Sequence, residues 1–143
     1  MIRFQASCLF SRYTQCPTVG IDKEDCYKSG MRTKVIETKL VPAGDITAIT
    51  LFGLVFTRDR KQITPRILNH ELIHCQQQLE LLYIPFFILY VLEWLAHLVK
   101  YRKWWKAYQS ISFEREAYAN DANPDYLDHR KPYSWLRYIR TVQ

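Results

Sequence analysis

Two histidines and a glutamate in one short stretch are the residues of this sequence best suited to chemistry. His70, Glu71 and His74 stand in the order H-E-x-x-H. On a helix, residues i and i+4 lie one turn apart on the same face, so both imidazoles can bind one metal ion. Neutral imidazole is a good ligand for zinc, and Glu71 can take a proton from a metal-bound water and pass it on. The stretch therefore predicts a zinc site with Glu71 as general base, although histidines that merely pack a buried helix give the same pattern.

The surrounding residues predict the helix that this site needs. Thr64 can cap its N-terminus, and Pro65 suits the first helical position. Apolar residues then recur at helical intervals, at Ile67, Leu68, Leu72, Ile73, Leu79 and Leu82. We expect the helix to end near Leu82 and Pro85 to open the next one.

A third ligand has to come from one of three downstream glutamates. A helical hairpin after the motif would bring Glu93 level with the histidines. Glu114 and Glu116 share a later predicted helix over residues 110–120. At about 100° per residue, Glu114 lies on the apolar side with Ala117, while Glu116 points nearly the opposite way. Because a buried carboxylate needs a partner, this favours Glu114, with Glu93 and Glu116 as alternatives.

The two motifs together resemble a known family. The segment from His70 to His74, followed by Phe113-Glu114-Arg115-Glu116-Ala117-Tyr118, resembles the minimal zincin metallopeptidases of the gluzincin kind. The E-x-x-A element is similar to that of housekeeping membrane-protein proteases and of peptidases that cleave phage-type repressors. The resemblance covers roughly residues 33–120, and more loosely the tail, and it is strongest to small bacterial proteins of this pattern. It implies one zinc ion per chain, a water nucleophile and peptide-bond hydrolysis, but no particular substrate.

One residue departs from the family pattern. Those families usually carry Asp or Asn after the alanine, where this chain has Tyr118. Tyr118 and His97 are the candidates for donating a hydrogen bond to the developing oxyanion, on their position in the sequence alone.

The chain before the motif predicts a small sheet. Residues 33–41 favour a strand, residues 42–45 a turn, and residues 46–58 a second strand region with Gly53 as a bulge or bend. We therefore expect an α+β fold, with a small N-terminal β-sheet of two to three strands packed on a helical bundle that carries the motif. An exposed edge of that sheet could hold an extended peptide.

Residues 81–99 are almost entirely apolar and long enough to be a transmembrane candidate, with Trp104 and Trp105 as an interfacial anchor. A span would put the histidines and Glu114 on opposite sides of a membrane, and Glu93 inside the bilayer would cost roughly 2.5–3.5 kcal/mol. We therefore expect a buried core helix, with peripheral membrane contact through residues 81–105 as the alternative.

Composition limits the remaining possibilities. The chain has 143 residues, of which 48% are hydrophobic, enough for one domain over residues 31–143. We expect residues 1–30 to form an N-terminal extension, either loosely packed or upstream of the true start, with a small N-terminal subdomain as the alternative. The four cysteines lack C-x-x-C spacing, and Cys75 suits a packed apolar position. No secretory signal is recognisable, so we expect a cytoplasmic protein, with membrane association as an alternative.

The net charge of +6 comes largely from basic runs at residues 100–106 and 130–140. Such runs usually form a solvated face, and the more specific alternative is that they bind anionic lipid or nucleic acid. The leading hypothesis is a zinc metallopeptidase acting on a peptide or protein substrate. A metal-binding protein without turnover is the second hypothesis. An adaptor that binds a membrane surface or nucleic acid is the third, and nucleic acid is the less favoured partner.

Overall fold

The computed structural model describes residues 25–28, 31–41 and 46–139. The strands are β1 (Asp25–Lys28), β2 (Met31–Glu37), β3 (Ala48–Leu51) and β4 (Leu54–Thr57). The helices are α1 (Pro65–Glu80), α2 (Ile84–Tyr101), α3 (Trp104–Gln109), α4 (Ser112–Asn120), α5 (Tyr126–His129) and α6 (Leu136–Ile139). A small sheet followed by helices confirms the predicted α+β class.

The sheet has the strand order β1-β2-β4-β3, so β3 is an edge strand. β2 and β4 are parallel, and the other two pairs are antiparallel. The part formed by β2, β4 and β3 corresponds to the predicted sheet, and β1 adds a strand within the segment assigned to the N-terminal extension. The domain boundary at residue 30 stays a prediction, because residues 1–24 and 29–30 lie outside the described residues.

The predicted second strand region is a hairpin. Phe52 and Gly53 join β3 to β4, and both have positive φ, at 52° and 75°. Positive φ at both central residues is what a two-residue type I′ turn requires, and such turns match the twist of paired strands. The expectation of a bulge or bend at Gly53 was therefore wrong. Gly53 belongs to a tight turn at which the chain reverses direction.

Helix α1 begins where the sequence predicts. The Thr64 side chain accepts a hydrogen bond from the Ile67 backbone N–H at 3.2 Å, and Pro65 occupies the first turn. The helix ends at Glu80, slightly before the expected Leu82. Leu72 and Ile73 are buried against the sheet. This packing fixes the helix face that carries the two histidines.

Helix α2 corrects one expectation. It is not a buried core helix, because Phe86 is its only buried residue. The helix is long and apolar enough to cross a membrane by length and composition. One edge packs against the domain through Phe86, Tyr90 and Trp94. The opposite side faces outward, since the other helices of the described chain cover only that one edge.

Helix α4 lies between two apolar clusters. Its Phe113 packs with Phe86, Ile111 and Trp135, while its Ala117 belongs to the cluster formed by the sheet and α1. Ala117 is fully buried, and a side chain this small lets α4 approach α1 closely. The part of α4 between Phe113 and Ala117, which includes Glu114, is thereby held opposite the face of α1 that carries the histidines.

Candidate metal centre

Three buried side chains from α1 and α4 meet at one point. The Nε2 atoms of His70 and His74 lie 3.1 Å apart. Glu114 places Oε1 3.2 Å from His74 Nε2 and Oε2 3.4 Å from His70 Nε2. Among the described residues, this is the one group of three His, Cys, Asp or Glu side chains whose ligand atoms all lie within 4.8 Å of one another. The group can hold a metal ion.

The donor set fits a small divalent cation. Glu114 Oε2 is buried and has no hydrogen-bond partner, which is costly for a carboxylate oxygen unless a cation or donor satisfies it. Two imidazole nitrogens and one carboxylate oxygen are a ligand set that zinc accepts, and zinc held by these three ligands would leave a fourth position for water or substrate. Glu114 Oε2 faces His70 Nε2 at 3.4 Å without a hydrogen bond, and a cation bound between the three side chains could satisfy it.

Gln77 sets the tautomer of His74. Gln77 Nε2 donates to Glu116 Oε2 at 2.8 Å and to the Phe113 carbonyl at 3.1 Å. Since a carboxylate and a carbonyl only accept, the amide nitrogen must face them, and Oε1 then faces His74 Nδ1 at 2.8 Å. His74 therefore donates from Nδ1, and its Nε2 atom faces the metal position.

Glu116 is held by cations and donors away from the metal position. Arg130 Nε lies 2.6 Å from Glu116 Oε1, and the Tyr126 hydroxyl donates to the same oxygen at 2.7 Å. Arg130 also pairs with Glu80 at the end of α1. Glu116 is thus fully buried, although the sequence placed it nearly opposite the apolar side of α4. It supports Gln77 and stays outside the ligand group.

Glu93, the other alternative ligand, caps helix α4. Its two carboxylate oxygens accept from the Ser112 backbone N–H at 2.6 Å and from the Ser112 hydroxyl at 2.8 Å. This satisfies a backbone donor at the start of α4, and a negative charge there is favourable to the helix dipole. The structure therefore ties Glu93 to α4 and keeps it out of the His70–His74–Glu114 group.

The position of Glu114 is fixed by a tyrosine from α2. The Tyr90 hydroxyl donates to Glu114 Oε1 at 2.7 Å. Burial and the Glu114 charge raise the pKa of Tyr90, so its hydroxyl keeps its proton and remains a donor. Burial opposes ionisation of Glu114, but both histidines hold its pKa well below the ordinary value. The carboxylate is therefore ionised, as a metal ligand has to be.

The pKa of His74 is set by its burial and by its contacts with Glu114, Glu71 and Gln77. Burial alone would lower its pKa, but the charges of Glu114 and Glu71 and the hydrogen bond to Gln77 raise it to about 9. In the metal-free protein at neutral pH the imidazole is therefore protonated and pairs with Glu114. A metal ion would have to displace the Nε2 proton, while the proton on His74 Nδ1 stays in its hydrogen bond to Gln77 Oε1.

His70 is supported from behind by the end of α4. Its Nδ1 lies 3.9 Å from Asp121 Oδ2, and Asp121 Oδ1 accepts from Arg66 Nε at 2.9 Å. The side-chain amide of Asn69 donates to the backbone carbonyls of Asp121 and Asn123 at 3.0 and 2.9 Å. These contacts tie the histidine turn of α1 to the chain that leaves α4.

Glu71 lies between the ligand group and the sheet. Its Oε2 accepts from the Thr50 hydroxyl on β3 at 2.6 Å, which orients the carboxylate. Glu71 and His70 line a cavity of about 260 Å³, and Thr47 and Ala48 form its sheet side. A carboxylate beside the ligand group and facing a cavity is placed for proton transfer.

The two candidate oxyanion donors are placed differently. Tyr118 lines the cavity, and its ring centroid lies 4.6 Å from that of His70. Burial and the Glu114 charge raise its pKa, so the hydroxyl is a donor. His97 is not among the residues that line the cavity and stacks on Tyr101 at 5.8 Å. Tyr108 from α3 lines the cavity as well and is a candidate that the sequence did not suggest.

Several residues that hold the metal ligands in position were not identified from the sequence. Gln77 follows His74 by three positions and Asp121 follows Glu114 by seven, so helical spacing could have identified both. Tyr90, Thr50 and Arg130 reach the site only through tertiary packing, and no local pattern marks them. The prediction that Cys75 is packed is confirmed, since it is 1% exposed and accepts from the Thr33 hydroxyl at 3.7 Å.

Comparison with known proteins yields no relative. No protein-family model, no curated protein sequence and no solved structure matches the chain.

Proposed function

We propose that this chain is a zinc-dependent metallopeptidase of the gluzincin kind. The observation that carries the proposal is the buried group of His70, His74 and Glu114, with Glu71 beside it on a cavity. When bound, zinc would polarise the scissile carbonyl and lower the pKa of an attached water. The chain supplies two imidazoles, a carboxylate and a neighbouring base for that chemistry.

Glu71 is the proposed general base. Thr50 holds one of its oxygens at 2.6 Å, which leaves the other free to take the proton from the attacking water. The same carboxylate can then return the proton to the leaving amine. Tyr118, with its hydroxyl protonated, is the proposed donor to the oxyanion.

The edge strand suggests how a peptide would bind. Within the part of the chain that the structure describes, β3 pairs only with β4, so its other backbone edge can take an extended chain. Gln78 Nε2 already donates to the Thr50 carbonyl at 2.8 Å, which closes one end of that edge. Ala48 lines the cavity at the other end. We therefore propose an extended peptide substrate that enters along Ala48.

Metal content tests the ligand assignment. We expect about one zinc ion per chain in the wild type and loss of the metal in His70→Ala and Glu114→Ala. Glu93→Ala is the matched control, because that carboxylate binds Ser112, and it should keep the metal. A well-folded wild type that binds no zinc even after the metal is added would refute both catalytic and non-catalytic metal functions.

Turnover separates a peptidase from a metal-binding protein. Glu71→Gln should keep zinc, because Thr50 can still donate to the amide oxygen, but should cleave a peptide library about 10²–10⁴-fold more slowly. Glu37→Gln, on an exposed position of β2, should cleave normally. A zinc-loaded wild type with no cleavage would favour the function without turnover, and equal cleavage by wild type and Glu71→Gln would refute Glu71 as the general base.

A further inference from the structure

The outward side of α2 is an unbroken apolar surface. We define the apolar face of α2 by six exposed residues, Ile84, Ile88, Val91, Leu92, Leu95 and Val99. Their exposed fractions run from 44% at Leu95 to 79% at Val99. The face extends along a helix of about 27 Å. Exposed apolar surfaces of this extent mark binding sites in soluble proteins.

Basic and aromatic residues adjoin one end of this face. We define the basic corner as Lys100, Arg102, Lys103 and Lys106, all of which are exposed. Trp104 and Trp105, 51% and 40% exposed, lie among them. Tryptophan next to lysine and arginine is typical of the level of lipid head groups.

The charge of this region favours an anionic partner. Between residues 81 and 106 the only acidic residue is Glu93. Its carboxylate is held at Ser112, and its single negative charge cannot balance the four cations of the basic corner. A second copy packed on the same face with the two helices parallel would bring the basic corners together, whereas anionic head groups complement them in any arrangement.

The contacts of the opposite side of α2 decide how the helix can meet a membrane. Tyr90 binds Glu114, Glu93 binds Ser112, and Phe86 is buried against Phe113. These contacts fall along the first half and the middle of the helix. Lipid on all sides would break them, so α2 can lie in the plane of the interface but cannot span it with this fold intact.

We propose that the apolar face of α2 and the basic corner dock this protein onto an anionic lipid bilayer, with α2 parallel to the membrane surface. The apolar residues enter the boundary between head groups and acyl chains, and the basic corner pairs with lipid phosphates. This docking does not depend on the proposed peptidase activity, and Glu71→Gln should bind lipid as the wild type does.

Flotation with vesicles tests the proposal. We expect wild type to bind vesicles made of equal parts phosphatidylcholine and phosphatidylglycerol, and to bind phosphatidylcholine alone much more weakly. Leu92→Glu and Leu95→Glu should each weaken binding at least about tenfold. Leu40→Glu is the matched control, because Leu40 is 90% exposed in the segment after β2, and it should bind normally.

The basic corner has its own test. Lys103→Gln and Lys106→Gln should each weaken binding to the anionic vesicles about fivefold, with little effect on phosphatidylcholine vesicles. Lys39→Gln, which removes an exposed lysine far from α2 in sequence, is the control. An unchanged circular dichroism spectrum and an unchanged urea unfolding midpoint would show that each variant is folded.

Three results would overturn the proposal. One is a wild type that does not float with anionic vesicles; a dimer that Leu92→Glu dissociates would then assign the face to a second copy. Another is equal flotation of Leu92→Glu and Leu40→Glu. The third is wild-type protein that remains in the vesicles after alkaline carbonate extraction, which would mean that α2 spans the bilayer.

Discussion

At the scale of single residues, Gln77 connects two charged groups that do not touch each other. Its amide nitrogen satisfies Glu116 and its amide oxygen accepts from His74. If the Gln77 side-chain amide were rotated by about 180°, its N–H group would face the proton on His74 Nδ1 and its oxygen would face the Glu116 carboxylate. Both contacts would be repulsive. The ion pair between Glu116 and Arg130 therefore selects which nitrogen of His74 faces the metal position.

Replacing Gln77 with leucine should weaken zinc binding while leaving all three ligands in place. The loss of the acceptor on His74 Nδ1 should lower zinc affinity about 10–100-fold, as for other hydrogen-bond partners of metal ligands. Competition with a chelator measures this affinity. Gln76→Leu, at a half-buried neighbouring position, is the control. Equal affinities in the two variants would remove Gln77 from the site.

The raised pKa of His74 predicts how the stability of the metal-free protein depends on pH. Its folded value of about 9 exceeds the ordinary 6.5, so the protonated form stabilises the fold fully below pH 6.5. That stabilisation is lost as the pH rises through 9, and unfolding free energy should fall by on the order of 3 kcal/mol.

Denaturant unfolding in the presence of a chelator, from pH 6.5 to about pH 10, checks this prediction. In Glu114→Gln the decline should shrink, because the charge that holds the His74 proton is gone. Zinc affinity should follow the opposite trend and rise towards pH 9, since zinc displaces that proton. Stability of the metal-free wild type that stays flat across this range would contradict the pairing of His74 with Glu114.

At the scale of elements, the turn between α1 and α2 carries backbone strain. Leu82 and Tyr83 have φ values of 53° and 64°, a region that side chains with a Cβ disfavour. Tyr83 gains a ring contact with Phe52 at 5.7 Å, whereas Leu82 is 78% exposed. Leu82 is therefore the residue of this turn at which glycine would lose little packing.

Leu82→Gly should raise the free energy of unfolding by about 0.5–1 kcal/mol. Removing Cβ relieves roughly 1–2 kcal/mol of left-handed strain, and part of that gain is offset by the larger entropy of unfolded glycine. Thermal or urea unfolding measures the difference. Leu92→Gly, at an exposed position inside α2, should instead destabilise by about 1 kcal/mol. A destabilised Leu82→Gly would show that the Leu82 side chain makes a contribution larger than the strain.

Local patterns predicted α1 and α4 well and α2 only in part. The cap at Thr64 and the apolar spacing that follows are local signals, as is the phase that puts Glu114 towards the histidines. Length and the position of Pro85 also located α2. Its exposure could not be predicted from local sequence. An apolar helix is normally expected to be buried, and whether other helices pack on all of its sides depends on tertiary structure.

At the scale of the whole molecule, Arg130 joins three separate parts of the chain. It pairs with Glu80 at the end of α1 and with Glu116 in α4, and its side chain is 2% exposed. The sequence showed Arg130 only as part of a basic run. That is why Glu116 seemed to point away from the core: the residues that bury it come from after α4, and no periodicity within α4 reveals them.

Arg130→Met should destabilise the protein by about 3–5 kcal/mol, because it leaves Glu116 buried without its cation. Urea unfolding measures the loss. Arg137→Met removes an arginine from an exposed position of α6 and should change stability by less than about 0.5 kcal/mol. Equal effects in the two variants would mean that the stability of the fold does not depend on the pairing of Glu116 with Arg130.

Helix α2 carries the apolar face on one side and, on the other, Tyr90 bound to Glu114. A bilayer and a metal ion would therefore act on opposite sides of the same rigid element. Thermodynamic linkage then imposes an equality: the factor by which vesicles change zinc affinity must equal the factor by which zinc changes vesicle affinity. Tyr90→Phe breaks the hydrogen bond between the two sides and should move that factor towards one.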